Sequence, residues 1–345
     1  MTTAAEERNG ASDVTRAREN PPSRKSAEHY CDTGPEPAQS WITENYPAKD
    51  IYRVERKITH FLDGIGVSLG QLTSVTRRHG AFGTIGVFRH PELGKVFVLN
   101  DEIQHVEAWA PIYHEPLVHL AASFVGELKD VLILGGGTLY AAAEALKYNS
   151  VRRVVVLDYD PLVTETVAQF YPHAKMCLMD KRFTLVHKDA YSSVPCIRDQ
   201  FDLVINDGAD LLAVKSSRRR SGLGSDAFSA MLRALKPHGV CADVVYRHLF
   251  ERQRIRRTVN RLQNCARFAL SLIFLPEYHG ILHVLCIWGG KASSVTQSLV
   301  RPKNKEQLRW MKNPSSSPCI YFDPRFLRYY LYLPRYLKTA LKLKE

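Results

Sequence analysis

The chain has 345 residues, 45% of them hydrophobic, and a net charge of +12 at pH 7. No apolar run reaches the roughly 18 residues that span a bilayer. The seven cysteines form no CxxC pair, which argues against a disulfide scaffold or a structural zinc site. The polar start carries no signal-peptide core, so we expect a protein of the reducing cytoplasm, without a membrane or a metal.

The first 110 residues consist of two ranges that differ in composition. Residues 1–40 are rich in Ala, Thr, Glu, Arg, Pro and Ser, a composition typical of a disordered tail. In the following range, 41–110, the runs 83–88 and 95–99 are rich in β-formers, and a Pro- and Gly-containing turn separates them. We therefore predict a small antiparallel β-sheet domain over residues 41–110.

From residue 111 to 345 apolar strands alternate with helical patterns. Strands are predicted at 130–134, 153–157, 183–186, 201–205 and 240–245, and helices at 140–148 and 227–235. Continuous apolar strands joined by helices are typical of a parallel, doubly wound sheet. The sequence therefore predicts an α/β fold whose second domain is Rossmann-like.

Glycines and acids follow the successive strands of this predicted sheet. Gly135–Gly137 end the first strand, and Asp158, Asp189 and Asp207 follow the next three. In such sheets ligands bind beyond the carboxyl ends of the strands, and an acid after the second strand can hold both ribose hydroxyls. Neither GxGxxG nor a Walker lysine is present. The site therefore suits a positively charged cofactor without phosphates, such as S-adenosylmethionine or its decarboxylated form.

From about Gly80 to Leu341 the chain resembles the spermidine synthases, also called polyamine aminopropyltransferases. Its matching motifs, in chain order, are Leu93–Gln104, Tyr113-His-Glu115, Gly135–Gly137, Asp158-Tyr-Asp160, Asp207-Gly-Ala-Asp210, Leu235–Gly239, Pro276-Glu-Tyr278, Tyr321–Pro324 and Leu333–Leu337. The resemblance implies a transferase that alkylates an amine and releases methylthioadenosine.

The resemblance also implies roles by position. Asp158 would hold the ribose and Asp189 the adenine, with Gln104, Gly135, Gly137, Thr138 and His114 completing the cofactor site. Asp207 would activate the amine, with Tyr113 and Asp210 beside it in the catalytic set. Tyr278 would face the amine substrate. Asp160 can equally cap the following helix, and Tyr140 is expected to pack rather than catalyse.

Two departures from the family pattern bear on the substrate. The family's Gly-Gly-Gly-Asp-Gly-Gly reads Gly-Gly-Gly-Thr138-Leu-Tyr140 here, and its Asp-Glu pair is replaced by Trp109-Ala110. The missing Asp receives the ammonium of the aminopropyl arm in the family. Without it, intact S-adenosylmethionine becomes a possible cofactor, and its own amine could close the arm into azetidine-2-carboxylate. Methyl transfer to an amine and a catalytically silent binding homologue stay open as alternatives.

The positive charge is concentrated in residues 301–345 and in the clusters 218–220 and 247–261. No zinc-finger, RNP-type or helix-turn-helix motif accompanies these clusters, so nucleic acid is not an expected partner. A lid that closes over the substrate is a hypothesis for residues 221–225. The expected partners are a small-molecule amine and a second copy of the chain in a dimer.

Overall fold

The computed structural model describes residues 58–62, 65–208, 227–247, 252–277, 281–298 and 301–343. The predicted tail at 1–40, the predicted lid, Asp210 and Tyr278 lie outside these residues. Among the described residues no helix has both the length and the apolar character needed to cross a membrane.

The N-terminal strands are antiparallel. The hairpin consists of β1 (Ile58–Leu62) and β2 (Ile65–Leu69), and the four-stranded sheet consists of β3 (Thr73–Gly80), β4 (Gly83–His90), β5 (Gly94–Leu99) and β6 (Glu102–Val106) in that order. Gly94 turns between β4 and β5 with φ +76°, a conformation that favours glycine. The predicted antiparallel sheet is confirmed, whereas a domain boundary at residue 110 stays a prediction.

Opposite faces of this small sheet pack against different cores. Val96 and Val98 of β5 point into a local cluster with Ile103, whereas Phe97 between them packs into the main core. This alternation follows from the period of two in a strand. The small sheet is therefore joined to the larger one through buried side chains.

Within the described residues the second sheet has seven strands, in the order β12-β13-β11-β10-β7-β8-β9. These are β7 (Asp130–Gly135), β8 (Arg153–Asp158), β9 (Phe183–His187), β10 (Phe201–Asp207), β11 (Leu235–Arg247), β12 (Arg267–Leu275) and β13 (Ile281–Gly289). All neighbouring pairs are parallel except those of β13, which runs antiparallel to β11 and β12. The doubly wound Rossmann-like fold is confirmed, with one reversed strand that the sequence did not indicate.

Helices cover both faces of this sheet. The α-helices are Ala110–Glu115, Tyr140–Leu146, Pro161–Phe170, Pro172–Met179, Ala190–Ser193, Ala227–Ala234, Arg252–Cys265, Lys305–Lys312, Leu327–Tyr330 and Arg335–Leu341. Along β7, Val131 and Ile133 belong to one buried cluster, and Leu132 and Leu134 belong to the other. A strand buried on both faces reads as a continuous apolar run, which is why β7 was recognisable.

The buried carboxylate of Glu115 holds the C-terminal segment against the core. Its Oε1 accepts the backbone N–H of Ile320 at 2.9 Å, and its Oε2 accepts those of Tyr321 and Phe322 at 2.7 Å each. Glu115 is only 1% exposed. This third residue of the Tyr-His-Glu motif therefore fixes the chain far away in sequence.

Candidate functional site

The candidate site lies where β8, β7 and β10 end side by side. The register places Asp207 opposite Gly135 and Leu134 opposite Leu157, one residue before Asp158. The chain winds from β7 through β8 to β9 on one side and through β10 to β11 on the other. The loop after β7 thus occupies the switch point, where ligands of such sheets bind.

Two residues of the short helix Ala110–Glu115 lie against the carboxylate of Asp207. The Tyr113 hydroxyl donates to Asp207 Oδ1 at 2.9 Å, and His114 Nε2 lies 3.8 Å from Oδ2. The side chains of Asp207 and His114 are 8% and 6% exposed. Oδ2 has no hydrogen-bond partner among the described residues. One oxygen of this carboxylate is thus positioned, and the other can accept a hydrogen bond from a ligand.

At 3.8 Å, His114 Nε2 lies beyond hydrogen-bond distance of Asp207 Oδ2. His114 Nδ1 lies 3.0 Å from the carbonyl oxygen of Ala110, one helical turn earlier. In a neutral imidazole the nitrogen that donates to a carbonyl carries the only ring proton. Nε2 then presents a lone pair toward Asp207 and cannot donate to it.

The glycine loop between the acids has no room for side chains. Gly135 and Gly136 have φ values of +77° and +74°. A Cβ on Gly136 would lie 3.0 Å from Asp207 Oδ2, and a Cβ on Gly137 would lie 2.7 Å from Asp158 Oδ2. The bare backbone therefore lies directly between the two carboxylates, where a ligand can approach it closely.

Asp158 sits on the other side of the loop. Its Oδ1 accepts the backbone N–H of Asp160 at 3.0 Å. Burial raises the pKa of the Asp158 carboxyl above its ordinary value, against the opposing effect of the N–H groups of Asp160 and Gly137. Donors from a ligand, such as ribose hydroxyls, would stabilise its ionised form.

Two further acids serve as helix caps. Asp160 Oδ1 accepts the N–H of Leu162 at 3.0 Å, at the start of the helix Pro161–Phe170. Of the two interpretations of Asp160, the structure supports the cap. Asp189 likewise accepts the N–H of Tyr191 at 3.0 Å while remaining half-buried at the end of β9. Its predicted role with adenine stays a prediction.

Thr138 and Gln104 complete the predicted cofactor set. The carbonyl oxygen of Thr138 lies 2.8 Å from His173 Nε2, so a histidine stands beside the position where the family carries an acid. Gln104 is half-buried on β6. The next residue of β6, His105, belongs to a group that the sequence did not reveal.

This group, which we call the histidine–tyrosine cluster, consists of His105, His114, Tyr140, Tyr171 and His173. The Tyr140 ring stacks on His114 at 5.2 Å between ring centres and lies 4.1 Å from His105 and 3.5 Å from His173. His105 lies 5.7 Å from Tyr171. Tyr140 packs against other rings, as predicted. The ring of His114 lies between Tyr140 and Asp207.

Burial keeps two histidines of the cluster, His105 and His173, neutral. It lowers the pKa of His105 well below its ordinary value, and the neighbouring imidazoles of His114 and His173 add to this effect. Burial also lowers the pKa of His173 to about 4. Both imidazoles are therefore uncharged at neutral pH.

Another group of potential metal ligands lies apart from these residues. The ligating atoms of His119, Glu144 and Cys319 lie within 4.8 Å of one another. His119 forms hydrogen bonds with Glu144 and Tyr148 at 2.9 Å each. Lys147 forms a salt bridge with Glu144 at 2.5 Å. These atoms form a buried polar network within the fold.

Comparisons with known proteins identify the family of this chain. The family described as the spermine/spermidine synthase domain matches residues 110–298. The chain is 30% identical over 165 residues to a polyamine aminopropyltransferase of Lachnospira eligens, a match that covers 48% of this chain and 55% of that protein.

Two other relatives and one solved structure are informative. Polyamine aminopropyltransferase 1 of Aquifex aeolicus is 30% identical over 57% of this chain and 69% of its own length. Putrescine N-methyltransferase 2 of Nicotiana attenuata is 25% identical over 74% of this chain and 68% of its own length. The crystal structure of spermidine synthase from Thermotoga maritima superposes with a TM-score of 0.72 at 19% identity, covering 85% of this chain and 96% of that one. The last comparison supports the fold.

Proposed function

Since the chain belongs to the spermine/spermidine synthase family, we propose that it alkylates an amine with the arm of an S-adenosylmethionine-type cofactor. The products are the alkylated amine and methylthioadenosine. The observation that carries this proposal is the Asp207 carboxylate, held at Oδ1 by Tyr113 and unsatisfied at Oδ2.

The cofactor would lie over the glycine loop. Asp158 would accept hydrogen bonds from both ribose hydroxyls, and Asp189 would contact the adenine amino group. Gly135, Gly137 and Thr138 would line the path from ribose to sulfur, with Gln104 and His114 at the sulfonium end. The support is the close approach of the bare loop to Asp158 and Asp207.

The reaction needs alignment and a proton acceptor. The lone pair of a neutral amine attacks the arm carbon next to S⁺. The carbon–sulfur bond breaks, its electron pair goes to sulfur, and methylthioadenosine leaves as a neutral thioether. The proton from the attacking nitrogen passes to Asp207, which Tyr113 keeps in position. Asp210 and Tyr278 are proposed to contact the amine and lie outside the described residues.

The attacking amine has two possible sources. A diamine such as putrescine would attack the decarboxylated cofactor, as in ordinary spermidine synthesis. With intact S-adenosylmethionine, the cofactor's own α-amine can attack and give azetidine-2-carboxylate. The neutral Thr138 favours the second route, since no carboxylate stands there to hold the ammonium of an aminopropyl arm.

Methyl transfer to an amine is the second candidate. It is favoured by the similarity to the Nicotiana attenuata protein named as a putrescine N-methyltransferase. The same Asp207 would accept the proton, but the leaving group would be S-adenosylhomocysteine. A homodimer and a cytoplasmic location are part of the same proposal.

The experiment is a mass-spectrometric assay of the full chain with each cofactor, first alone and then with putrescine. Methylthioadenosine release that Asp207→Asn abolishes supports arm transfer. S-adenosylhomocysteine that appears only with an amine selects methyl transfer instead. If the protein binds a cofactor but turns over neither of them under any condition, it is a catalytically inactive homologue, and the proposal is contradicted.

A further inference from the structure

The histidine–tyrosine cluster holds polar atoms that the fold does not satisfy. His105 and Tyr171 are each 1% exposed. Neither ring nitrogen of His105 nor the hydroxyl of Tyr171 has a hydrogen-bond partner among the described residues. Buried polar groups nearly always form hydrogen bonds. An unpaired set beside a candidate site therefore indicates that a ligand binds there.

These groups offer two hydrogen-bond donors from two neighbouring rings. A neutral imidazole carries one N–H, and a tyrosine carries one O–H. The two rings lie 5.7 Å apart and face each other edge to face. The two oxygens of a single carboxylate would accept from both donors, whereas an ammonium group would use only the acceptor nitrogen of His105 and the oxygen of Tyr171 and would leave both donors unsatisfied.

The surrounding charges also disfavour a cation. The Lys95 ammonium lies 5.4 Å from the centre of the Tyr171 ring. The nearest carboxylate of this segment, Glu107, is engaged by the Lys95 side chain at 2.9 and 3.2 Å and by its backbone N–H at 2.9 Å. Adding an ammonium would place a second positive charge near Lys95, and the Glu107 carboxylate that could offset it is already engaged by that lysine.

The cluster is continuous with the proposed reaction centre. His114 faces Asp207 Oδ2 at 3.8 Å on one side and lies 6.0 Å from the His105 ring on the other. Thr138, at the arm position, is bound through its carbonyl to His173 of the same cluster. A group at His105 would therefore lie beyond the proposed sulfonium end of the cofactor.

We propose that His105 and Tyr171 bind the α-carboxylate of the cofactor's amino-acid arm, which makes intact S-adenosylmethionine, rather than its decarboxylated form, the cofactor of this protein. The inference rests on the proposed function, because it places the cofactor over the glycine loop. It assigns His105 and Tyr171 as residues that determine cofactor specificity.

The test measures the affinity of the full chain for both cofactors by titration calorimetry. Wild type is expected to bind S-adenosylmethionine more tightly. Tyr171→Phe removes one charge-assisted hydrogen bond, so its affinity for S-adenosylmethionine should fall about tenfold to a hundredfold. Its affinity for the decarboxylated form should stay unchanged. His105→Phe should show the same selective loss, while Tyr330→Phe, outside the cluster, should leave both affinities unchanged.

Three outcomes overturn the inference, and they separate it from the proposed function. Tighter binding of the decarboxylated form, or an equal loss of both affinities in Tyr171→Phe, contradicts carboxylate recognition while arm transfer stands. Binding of neither cofactor contradicts both proposals. Melting curves of the variants check their folding, and Tyr171→Phe should melt no lower than wild type, because its hydroxyl has no partner to lose among the described residues.

Discussion

Replacing Glu115 by glutamine tests how the C-terminal segment is held. The carboxylate accepts three backbone N–H groups from Ile320, Tyr321 and Phe322 at 2.7–2.9 Å while 1% exposed. The variant Glu115→Gln keeps the shape of the side chain but replaces one acceptor oxygen by an NH₂ donor. At least one backbone N–H then faces another donor.

The expected loss follows from the number and type of these bonds. A hydrogen bond to a charged group contributes about 1.5–3 kcal/mol and a neutral one about 1 kcal/mol. Losing one charged bond and weakening two others should cost about 3 kcal/mol in the free energy of unfolding. The melting temperature should fall by about 6 °C at about 2 °C per kcal/mol for a chain of this size.

Urea unfolding measures this loss directly, provided that the slope against urea stays constant. The matched control is Glu306→Gln, whose carboxylate accepts the N–H groups of Asn149 and Ser150 from a more exposed position. It should lose less than about 1 kcal/mol. A loss of equal size in both variants, or none for Glu115→Gln, would refute the claim that Glu115 anchors this segment.

The remaining predictions concern the site. Asp207→Asn should lower turnover about 10²- to 10⁴-fold in the methylthioadenosine assay, because it removes the proton acceptor, and cofactor affinity by calorimetry should change far less. Gly136→Ala should lose most activity in the same assay, since its Cβ would lie 3.0 Å from Asp207 Oδ2, whereas Gly126→Ala, with open space around it, should not. Burial lowers the pKa of His173 to about 4; an unfolded imidazole titrates near about 6.5. Wild type should therefore lose up to about 3 kcal/mol more stability than His173→Gln as the pH falls from 6.5 toward 4, measured by urea unfolding.

Each of these has a contradicting result. Asp207→Asn with more than a tenth of wild-type turnover would remove Asp207 from the proton transfer. Equal activity of the two glycine variants would show that the loop tolerates a side chain. Parallel pH–stability curves for wild type and His173→Gln would mean that His173 titrates normally in the folded protein.

The ends of the strands were predictable because they depend on local pattern. The apolar runs that became β7, β8 and β10 each stop at a glycine or an acid, and parallel strands bring these ends to one edge. The sequence alone therefore placed Gly135, Asp158 and Asp207 together. The sequence did not predict the antiparallel direction of β13, because an apolar run does not show whether a strand is parallel or antiparallel to its neighbours.

Other features depend on contacts between distant segments. His105 comes from β6, Tyr140 from the helix after the glycine loop, and His173 from the helix Pro172–Met179. No spacing in the sequence links them, and only the packing of these three elements brings their rings together. The role of Glu115 likewise depends on a segment some two hundred residues later.

Release of methylthioadenosine from S-adenosylmethionine by the purified full chain tests the central claim most directly. We expect methylthioadenosine to accumulate and Asp207→Asn to abolish its formation. Formation of S-adenosylhomocysteine alone, or no turnover of either cofactor with putrescine present, would contradict the claim.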